Sequence, residues 1–304
     1  MEFRTLRAFV EVARQGGFSQ ASKTLFATQS TVSKAVKQLE DEIGVLLFDR
    51  IGHRTSLTAA GEIALPRAVR LLAERADLMA ELSELRGLKR GTLKLGLPPV
   101  GSSTLFAPLV AEYRNRYPGI DVRLVEHGGV QLMEELRSGH IELAASLLPA
   151  SDEFDWIDVA REPIVAVMPA GHALARRKSV GIELLQEHPF ILFEEGFALN
   201  LIIVEACRRK GFDPKVATRS AQIDFIIELV AAGLGIAFLP EMIARQSPNR
   251  LVKPVALADE NAVWHLAMLW RRGAFLSQAA QAWLDLIRPK SKSSGGKINI
   301  LTST

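Results

Sequence analysis

The sequence predicts an α/β protein in three parts: an α-rich winged helix-turn-helix domain, a long linker helix and a two-lobed domain. Three observations predict this. Short amphipathic helices and a basic hairpin occupy the first part, one long helical pattern follows, and strands then alternate with helices to near the end. We expect these domains at residues 1–58, 59–90 and 91–288, followed by a basic, disordered tail at 289–304.

The first part begins with an apolar stripe at spacings of three and four residues, which predicts an amphipathic helix that Gly16 and Gly17 end. We expect Ser19 to cap a short second helix that extends through residues 25 and 26. A third helix should be capped near Ser30. This order is that of a helix-turn-helix unit.

The third helix has two different sides. Its apolar residues fall within a narrow arc and should face the core: Val32, Val36, Leu39 and Ile43. The opposite side carries hydroxyls, amides and ammonium groups but no carboxylate, which suits the base edges and phosphates of a DNA major groove. The candidate DNA contacts of the second and third helices are Ser19, Gln29, Ser30, Thr31, Ser33, Lys34, Lys37 and Gln38. An ordinary solvated helix face is the alternative.

A short basic hairpin follows, with a turn at Gly52. Arg50, His53 and Arg54 flank this turn and are the candidate contacts of a wing that reaches the neighbouring minor groove. For His53, a solvated loop position without a role is the alternative. The net charge of +3 is too small to indicate nucleic acid by itself, so the prediction depends on the order of helices and hairpin.

These residues resemble the LysR-type transcriptional regulators. The resemblance rests on Leu6-x-x-Phe9-x-x-Val12-Ala13, Gly17-Phe18-Ser19-x-Ala21, Gln29-Ser30-x-x-Ser33-x-x-Val36-x-x-Leu39-Glu40, Gly44-x-x-Leu47-Phe48-x-Arg50 and Leu57-Thr58-x-Ala60-Gly61. It implies that Gln29, Ser30, Ser33 and Lys34 approach bases or phosphates and that Arg54 with His53 forms the wing tip. Ser30 stands where members often carry proline, and His53 and Lys34 stand where arginine is frequent, so the base preference stays open. The resemblance also implies a tetramer of two dimers, DNA bending and contact with RNA polymerase during activation.

The long helical pattern carries two apolar seams, Val69, Leu72, Ala76 and Met79 on one and Leu71, Leu78, Leu82 and Leu85 on the other. A small domain cannot cover both, so we expect a coiled-coil-like contact with a second copy. Such a homodimer places two DNA-binding domains on the half-sites of an inverted-repeat operator. Packing of the helix against its own chain is the alternative.

From residue 91 the sequence predicts strands at 93–97, 120–125, 141–147, 164–168, 190–193, 217–219, 236–239 and 264–270, with helices at 105–117, 132–137, 199–209, 223–232 and 275–287. Their alternation predicts a mostly parallel sheet in two lobes joined by two crossings. Motifs such as Gly139-x-Ile141-Glu142-Leu143-Ala144 and Gly233-x-Gly235-Ile236-Ala237-x-Leu239-Pro240 resemble the effector domain of the same family, which is similar to periplasmic binding proteins. The resemblance covers nearly the whole chain to about residue 288.

Ligands in such sheets lie beyond the carboxyl ends of the strands, near helix N-termini. This selects nine candidate effector contacts: Gly101, Ser102, Ser103, Thr104, Gly128, Gly129, Gly196, Phe197 and Ala198. Helix capping explains the hydroxyls equally well, and tight turns explain the glycines. Glu194 and Glu195 would repel an acid unless they face solvent. We favour a small organic acid or amide-like metabolite as the effector, with an amine or a neutral compound still open.

Nothing in the sequence supports catalysis. Cys207 has no histidine spaced to activate it, the six histidines lack metal-site spacing, and no phosphate-binding glycine loop is present. We therefore expect no enzyme activity, no metal and no cofactor. The charged N-terminus and the lack of a long apolar run predict a cytoplasmic protein of bacterial type without a membrane partner. A solute-binding protein with an N-terminal oligomerisation unit, or a constitutive repressor with an empty second domain, are the alternatives.

Overall fold

The computed structural model describes residues 1–51, 54–84 and 91–288. Three helices open the chain: α1 (Phe3–Gln15), α2 (Phe18–Thr24) and α3 (Gln29–Ile43). α1 ends at Gly16, which adopts the left-handed conformation as expected. The expected N-caps were wrong. α2 starts directly after Gly17, so Ser19 lies inside it, and α3 is capped by Thr28, whose hydroxyl accepts the Thr31 N–H at 3.2 Å.

The core of the N-terminal domain (residues 1–58) forms where α1 crosses α3. Phe9, Val36 and Leu39 are fully buried there, in agreement with the apolar arc. Ile43 departs from the prediction, since 44% of it is exposed. Gly44 turns the chain with a φ of 80° directly after this residue, so the buried side of α3 ends one turn earlier.

A two-stranded hairpin follows, β1 (Phe48–Ile51) and β2 (Arg54–Leu57), paired antiparallel. The predicted glycine turn at Gly52 and the candidate contact His53 lie outside the described residues. The backbones of Arg50 and Arg54 lie in the two strands next to that turn, as a wing requires.

The linker helix α4 (Ala59–Glu84) has one side against its own chain and one side exposed. Val69 and Leu72 pack on the core of the N-terminal domain, so the first seam is partly covered within the chain. The described part of the second seam stays uncovered, with Leu71, Leu78 and Leu82 exposed, and Leu85 lies outside the described residues. Along the described residues, no helix combines the length and apolar character needed to cross a bilayer.

The remaining chain forms two lobes. The first contains the parallel strands β3 (Gly91–Leu97), β4 (Ile120–Glu126) and β5 (Leu143–Leu147) with helices α5 (Ala107–Arg116) and α6 (Gly129–Arg137). The long strand β6 (Phe154–Pro169) and the short β7 (Ser179–Val180) follow in the chain. The second lobe contains the parallel strands β8 (Phe190–Phe193), β9 (Val216–Ser220) and β10 (Ile236–Pro240). Its helices are α7 (Ala198–Arg209), α8 (Ile223–Ala231) and α9 (Glu241–Gln246). The chain closes with β11 (Val252–Leu257), β12 (Val263–Arg271) and α10 (Gln278–Ile287).

The strand β6 joins the lobes. Its first part pairs with β12 in the first lobe and its second part pairs with β10 and β11 in the second, all antiparallel. The chain then returns between β11 and β12, which gives the two expected crossings. The expectation of a parallel sheet holds for three strands of each lobe, β3, β4 and β5 in the first and β8, β9 and β10 in the second, while β6 and β12 add antiparallel pairs. The pattern revealed only residues 164–168 of β6, because these form a continuous buried apolar run, whereas residues 154–163 mix charged and apolar residues without a regular alternation.

The first lobe also rests on the linker helix. Arg271 of β12 donates to Asp77 of α4 at 2.6 Å, and the two side chains are only 18% and 16% exposed. Gly139 lies against Ala73 of the same helix, where an added methyl group would come within 3.3 Å of the Ala73 backbone. An ion pair and a close backbone approach therefore hold lobe and linker together.

We expect Asp77→Ala to lower the stability of the protein by about 2 kcal/mol, because it leaves the mostly buried Arg271 guanidinium without its carboxylate. The melting temperature, followed by tryptophan fluorescence, should fall by about 5 °C. Asp121→Ala is the matched control, since its pair with Arg123 is 59% and 66% exposed and should contribute little. Equal shifts in the two variants would contradict the role of the Asp77 contact.

Candidate DNA interface and effector cleft

The polar side of α3 is exposed and is not packed against the rest of the described chain. Thr31, Lys34, Lys37 and Gln38 are exposed, and Ser33 is half-buried at the edge of this surface. The apolar arc on the other side of the helix is packed into the core. From Gln29 to Gln38 this surface carries two ammonium groups and no carboxylate and is accessible to a duplex, and Asp41 follows on the same side only in the last turn of the helix.

The start of α3 holds the remaining candidates together. The Thr28 hydroxyl lies 2.9 Å from that of Ser30 and 2.8 Å from that of Thr31, and Ser19 donates to the Gln29 amide oxygen at 3.3 Å. All of these side chains are exposed. The free N–H groups and positive dipole end of a helix N-terminus attract phosphate, so this hydroxyl cluster suits contact with a DNA backbone.

A buried carboxylate on α3, which was not among the candidate residues, holds the wing to this helix. Glu40 accepts the N–H groups of Leu47 at 2.8 Å and Phe48 at 3.2 Å. Only 6% of Glu40 is exposed. Its spacing of four from Val36 places it on the buried side of the helix and was the available signal. Glu40 therefore fixes where β1 begins relative to the DNA-facing helix.

A cavity of about 30 Å³ lies between the two lobes. It is lined by Pro98, Val100, Gly128, Gly129, Ser146, Leu147, Phe197, Ala198, Leu199, Trp264 and Leu266. None of these carries a charged side chain, and Ser146 supplies a hydroxyl. The cavity suits the apolar part of a small molecule with few polar groups.

The lobes touch across this cavity. The Val130 N–H donates to the Gly196 carbonyl at 3.4 Å. A methyl group on Gly128 would lie 3.0 Å from the Gly196 oxygen, so the residue must be small for the cleft to close this far. Phe197 stacks on Phe193 with ring centroids 5.1 Å apart. Any larger occupant has to separate the lobes.

The nine candidate effector residues do not all meet at one place. Gly128, Gly129, Phe197 and Ala198 line the interlobe cavity, Gly196 lies outside its lining and approaches Gly128, and Gly101 lies against the Trp264 ring. Ser102 is half-buried and donates to the Pro98 carbonyl. Ser103 and Thr104 line a separate cavity of about 440 Å³, where Thr104 donates to Gln246 at 2.8 Å.

Seven residues of the cavity wall were not among the nine candidates, and two of these, Ser146 and Trp264, have polar groups in their side chains. Ser146 lies near the carboxyl end of β5, where the strand-end rule applied. Trp264 lies near the amino end of β12, which is antiparallel to β5 and therefore starts at the same edge. A rule about carboxyl ends cannot find such a residue. Glu194 and Glu195, which raised the concern of repulsion, are exposed and do not line this cavity.

Catalytic and metal chemistry gain no support from the described residues. Burial raises the pKa of the Cys207 thiol to about 11, with a further contribution from Asp213, so the nucleophilic thiolate is disfavoured. Within residues 1–51, 54–84 and 91–288, no three His, Cys, Asp or Glu side chains are grouped as metal ligands.

Comparison with known proteins places both halves of the chain in one family. The family model of the bacterial regulatory helix-turn-helix protein, lysR family, matches residues 3–62, and the LysR substrate binding domain matches residues 86–292. The HTH-type transcriptional regulator YwbI of Bacillus subtilis (strain 168) is 36% identical over 301 residues, which are 97% of this chain and 100% of YwbI. The transcriptional dual regulator GltC of the same organism is 34% identical over 257 residues, covering 83% of this chain and 85% of GltC.

The fold agrees with that of a solved regulator. The structure of a full-length OxyR variant from Pseudomonas aeruginosa matches with a TM-score of 0.60 at 28% identity, covering 95% of this chain and 100% of that one. The prediction of a winged helix-turn-helix domain, a linker helix and a two-lobed effector domain is thereby confirmed. The chain is a member of the LysR family of DNA-binding transcriptional regulators.

Proposed function

We propose that this regulator binds an inverted-repeat operator as a homodimer, which associates further into a tetramer, and that a small molecule between the lobes controls its action. The observation that carries the DNA-binding part is the exposed polar side of α3, without a carboxylate from Gln29 to Gln38, next to a hairpin wing. Arg50, His53 and Arg54 are the proposed wing contacts. Since its target is chromosomal DNA, we place the protein in the cytoplasm, where it contacts RNA polymerase when it activates.

The exposed seam on α4 supports the dimer. Leu71, Leu78 and Leu82 lie at helical spacings on one side of the linker and are uncovered in the single chain. Two such helices, packed through this seam, bury apolar surface and set two DNA-binding domains at a fixed separation. The family's inverted-repeat operators would follow from this two-fold arrangement.

The effector we propose is a small organic acid with an apolar body. Its apolar part would lie along Phe197 and Trp264, and its carboxylate would face the first turns of α6 and α7, which begin at this cavity without a side-chain cap. Occupation that favours one lobe arrangement shifts the population of DNA-binding states by its difference in affinity for the two.

The test is a gel shift on DNA fragments upstream of the gene itself and of its neighbours, at several salt concentrations. A sequence-selective complex that weakens as salt rises is expected of a regulator. Solute binding without any retardation, even at low ionic strength, would instead support the rival assignment as a solute-binding protein.

A variant that fills the interlobe cavity should distinguish effector binding from DNA binding. A methyl group on Gly129 would already lie 3.3 Å from the Ser146 oxygen, so Gly129→Leu occupies the space of the effector. We expect the metabolite concentration needed for a response to rise at least about tenfold, while the protein still binds its operator. A thermal-shift screen of organic acids followed by footprinting measures this. Ser103→Leu, in the separate cavity, is the control. If Ser103→Leu lost the response to the metabolite and Gly129→Leu kept it, the effector site would lie in the separate cavity instead.

A further inference from the structure

An arginine at the end of α1 connects the DNA-binding domain directly to the first effector lobe. Arg14, in the last turn of α1, donates through Nη2 to the Glu134 carbonyl at 3.0 Å and to the Ser138 hydroxyl at 3.1 Å. Its Nη1 lies 3.5 Å from Glu135 Oε1 and 3.2 Å from His140 Nδ1. The side chains of Arg14 and Glu135 are 18% and 20% exposed, so the contact is largely shielded from solvent.

The guanidinium lies at the C-terminal end of α6, where its charge is favourable. Carbonyl groups at a helix C-terminus carry partial negative charge, and here Glu134 offers its carbonyl directly. The Glu135 pKa is held below its ordinary value, first by the hydrogen bond from His140 and further by the charge of Arg14. The carboxylate therefore stays ionised opposite the arginine.

The other end of the same helix lines the effector cleft. α6 begins at Gly129, and its second residue, Val130, makes the hydrogen bond to Gly196 of the opposite lobe. A helix of nine residues spans about 13 Å and moves as a unit. One short rigid element thus contacts the second lobe at its start and the DNA-binding domain at its end.

The junction leaves space for movement. A cavity of about 680 Å³ separates α1 from α6 beside the Arg14 contact, with Glu11 and Gln15 on one side and Gln131 and Glu195 on the other. Because the intervening volume is open, the directed hydrogen bonds of Arg14 hold this part of the junction. Such bonds are lost when donor and acceptor separate by little more than 0.5 Å beyond about 3.0 Å.

We propose that α6 couples the effector cleft to the DNA-binding domain, with Arg14 as the contact that is made when the cleft is closed and broken when it widens. A molecule that separates Gly128 from Gly196 displaces the first turn of α6, and the rigid helix carries this displacement to Glu134 and Ser138. The DNA-binding domain then loses its direct contact with the lobe and stays connected to it only through α4. This inference rests on the proposed function, since coupling matters only if an effector enters the cleft.

Hydrogen–deuterium exchange of the full-length protein, without DNA or effector, tests the coupling. Gly128→Ala places a methyl group against the Gly196 oxygen and widens the cleft; Gly129→Ala, against Ser146 and Ala198, is a second variant should the first fail to fold. We expect amide exchange in the last two turns of α1 to accelerate about fivefold or more in either variant, and we expect the same acceleration in Arg14→Ala. Arg7→Ala is the matched control, an exposed arginine on the same helix without a hydrogen bond or ion pair among the described residues.

Faster exchange confined to the cleft, with α1 unchanged in both glycine variants, would overturn the proposal, and so would an unchanged α1 in Arg14→Ala. Combining Gly128→Ala with Arg14→Ala gives a second criterion. If α6 transmits the change, α1 in the double variant exchanges no faster than in Arg14→Ala alone. If the two sites act independently, the acceleration in the double variant would equal the product of the two single accelerations to within about twofold. A failed gel shift would sink the regulator assignment but leaves these measurements interpretable.

Discussion

The double variant Ser33→Ala with Lys34→Ala is expected to lose its selectivity for the operator while still forming the same oligomer. Ser33 and Lys34 lie side by side on the uncovered face of α3, and neither contributes to the seam on the linker helix. Each side chain that reads a base is worth about 1–3 kcal/mol, so the ratio of operator to non-specific binding should fall about 100-fold. The lysine also neutralises phosphate charge, and the slope of log affinity against log salt should decrease by about 0.9.

Gel-shift titrations at several salt concentrations measure both quantities, and analytical ultracentrifugation follows the oligomer. Lys23→Ala is the matched control, because Lys23 is an exposed lysine in the same domain but on α2. Preserved selectivity in the double variant would show that another element reads the bases. An equal loss of affinity for all DNA sequences would show that Ser33 and Lys34 contact only the DNA backbone and not the bases.

The second large effect is expected from Glu40→Ala, which removes the buried acceptor that joins α3 to the wing. The N–H groups of Leu47 and Phe48 would lose their partner in a site where water is excluded. A buried donor without an acceptor costs about 1–3 kcal/mol, so the N-terminal domain should lose about 3 kcal/mol of stability. Operator affinity should fall as well, since β1 is no longer fixed relative to the recognition helix.

The four tryptophans all lie beyond residue 150, which makes the effect on the N-terminal domain separable. Far-ultraviolet circular dichroism should show an early transition that tryptophan fluorescence does not. Glu40→Gln keeps an acceptor oxygen and is expected to be intermediate, while Glu42→Ala, on the exposed end of the same helix, should change little. Coincident transitions in Glu40→Ala would contradict a local role for this carboxylate.

Local patterns in the sequence predicted what local forces determine. The helix-turn-helix order, the wing, the linker and most strands of the lobes follow from periodicity and turn residues, because each depends on neighbours a few positions away. The caps at Gly17 and Thr28 were each missed by two positions, as several small polar residues compete for the same role at these helix starts.

Contacts between distant segments could not be predicted in this way. In the sequence Glu40 is the first of three successive acids. Only the folded domain shows that its carboxylate accepts the backbone N–H groups at the start of the wing. Trp264 reaches the cleft because β12 runs against β5, a pairing that spans more than a hundred residues. Likewise, Arg14 is an ordinary basic residue at a helix end until the lobe is placed beside it. Such sites depend on topology, which periodicity does not encode.

Cys207 lies on α7 without exposed surface, and burial raises the pKa of its thiol to about 11. Peroxides and disulfides react with the thiolate, which is scarce at neutral pH for such a group. Air and mild oxidants should therefore leave this sulfur reduced. Any response of the regulator to oxidative stress would have to begin at a different group.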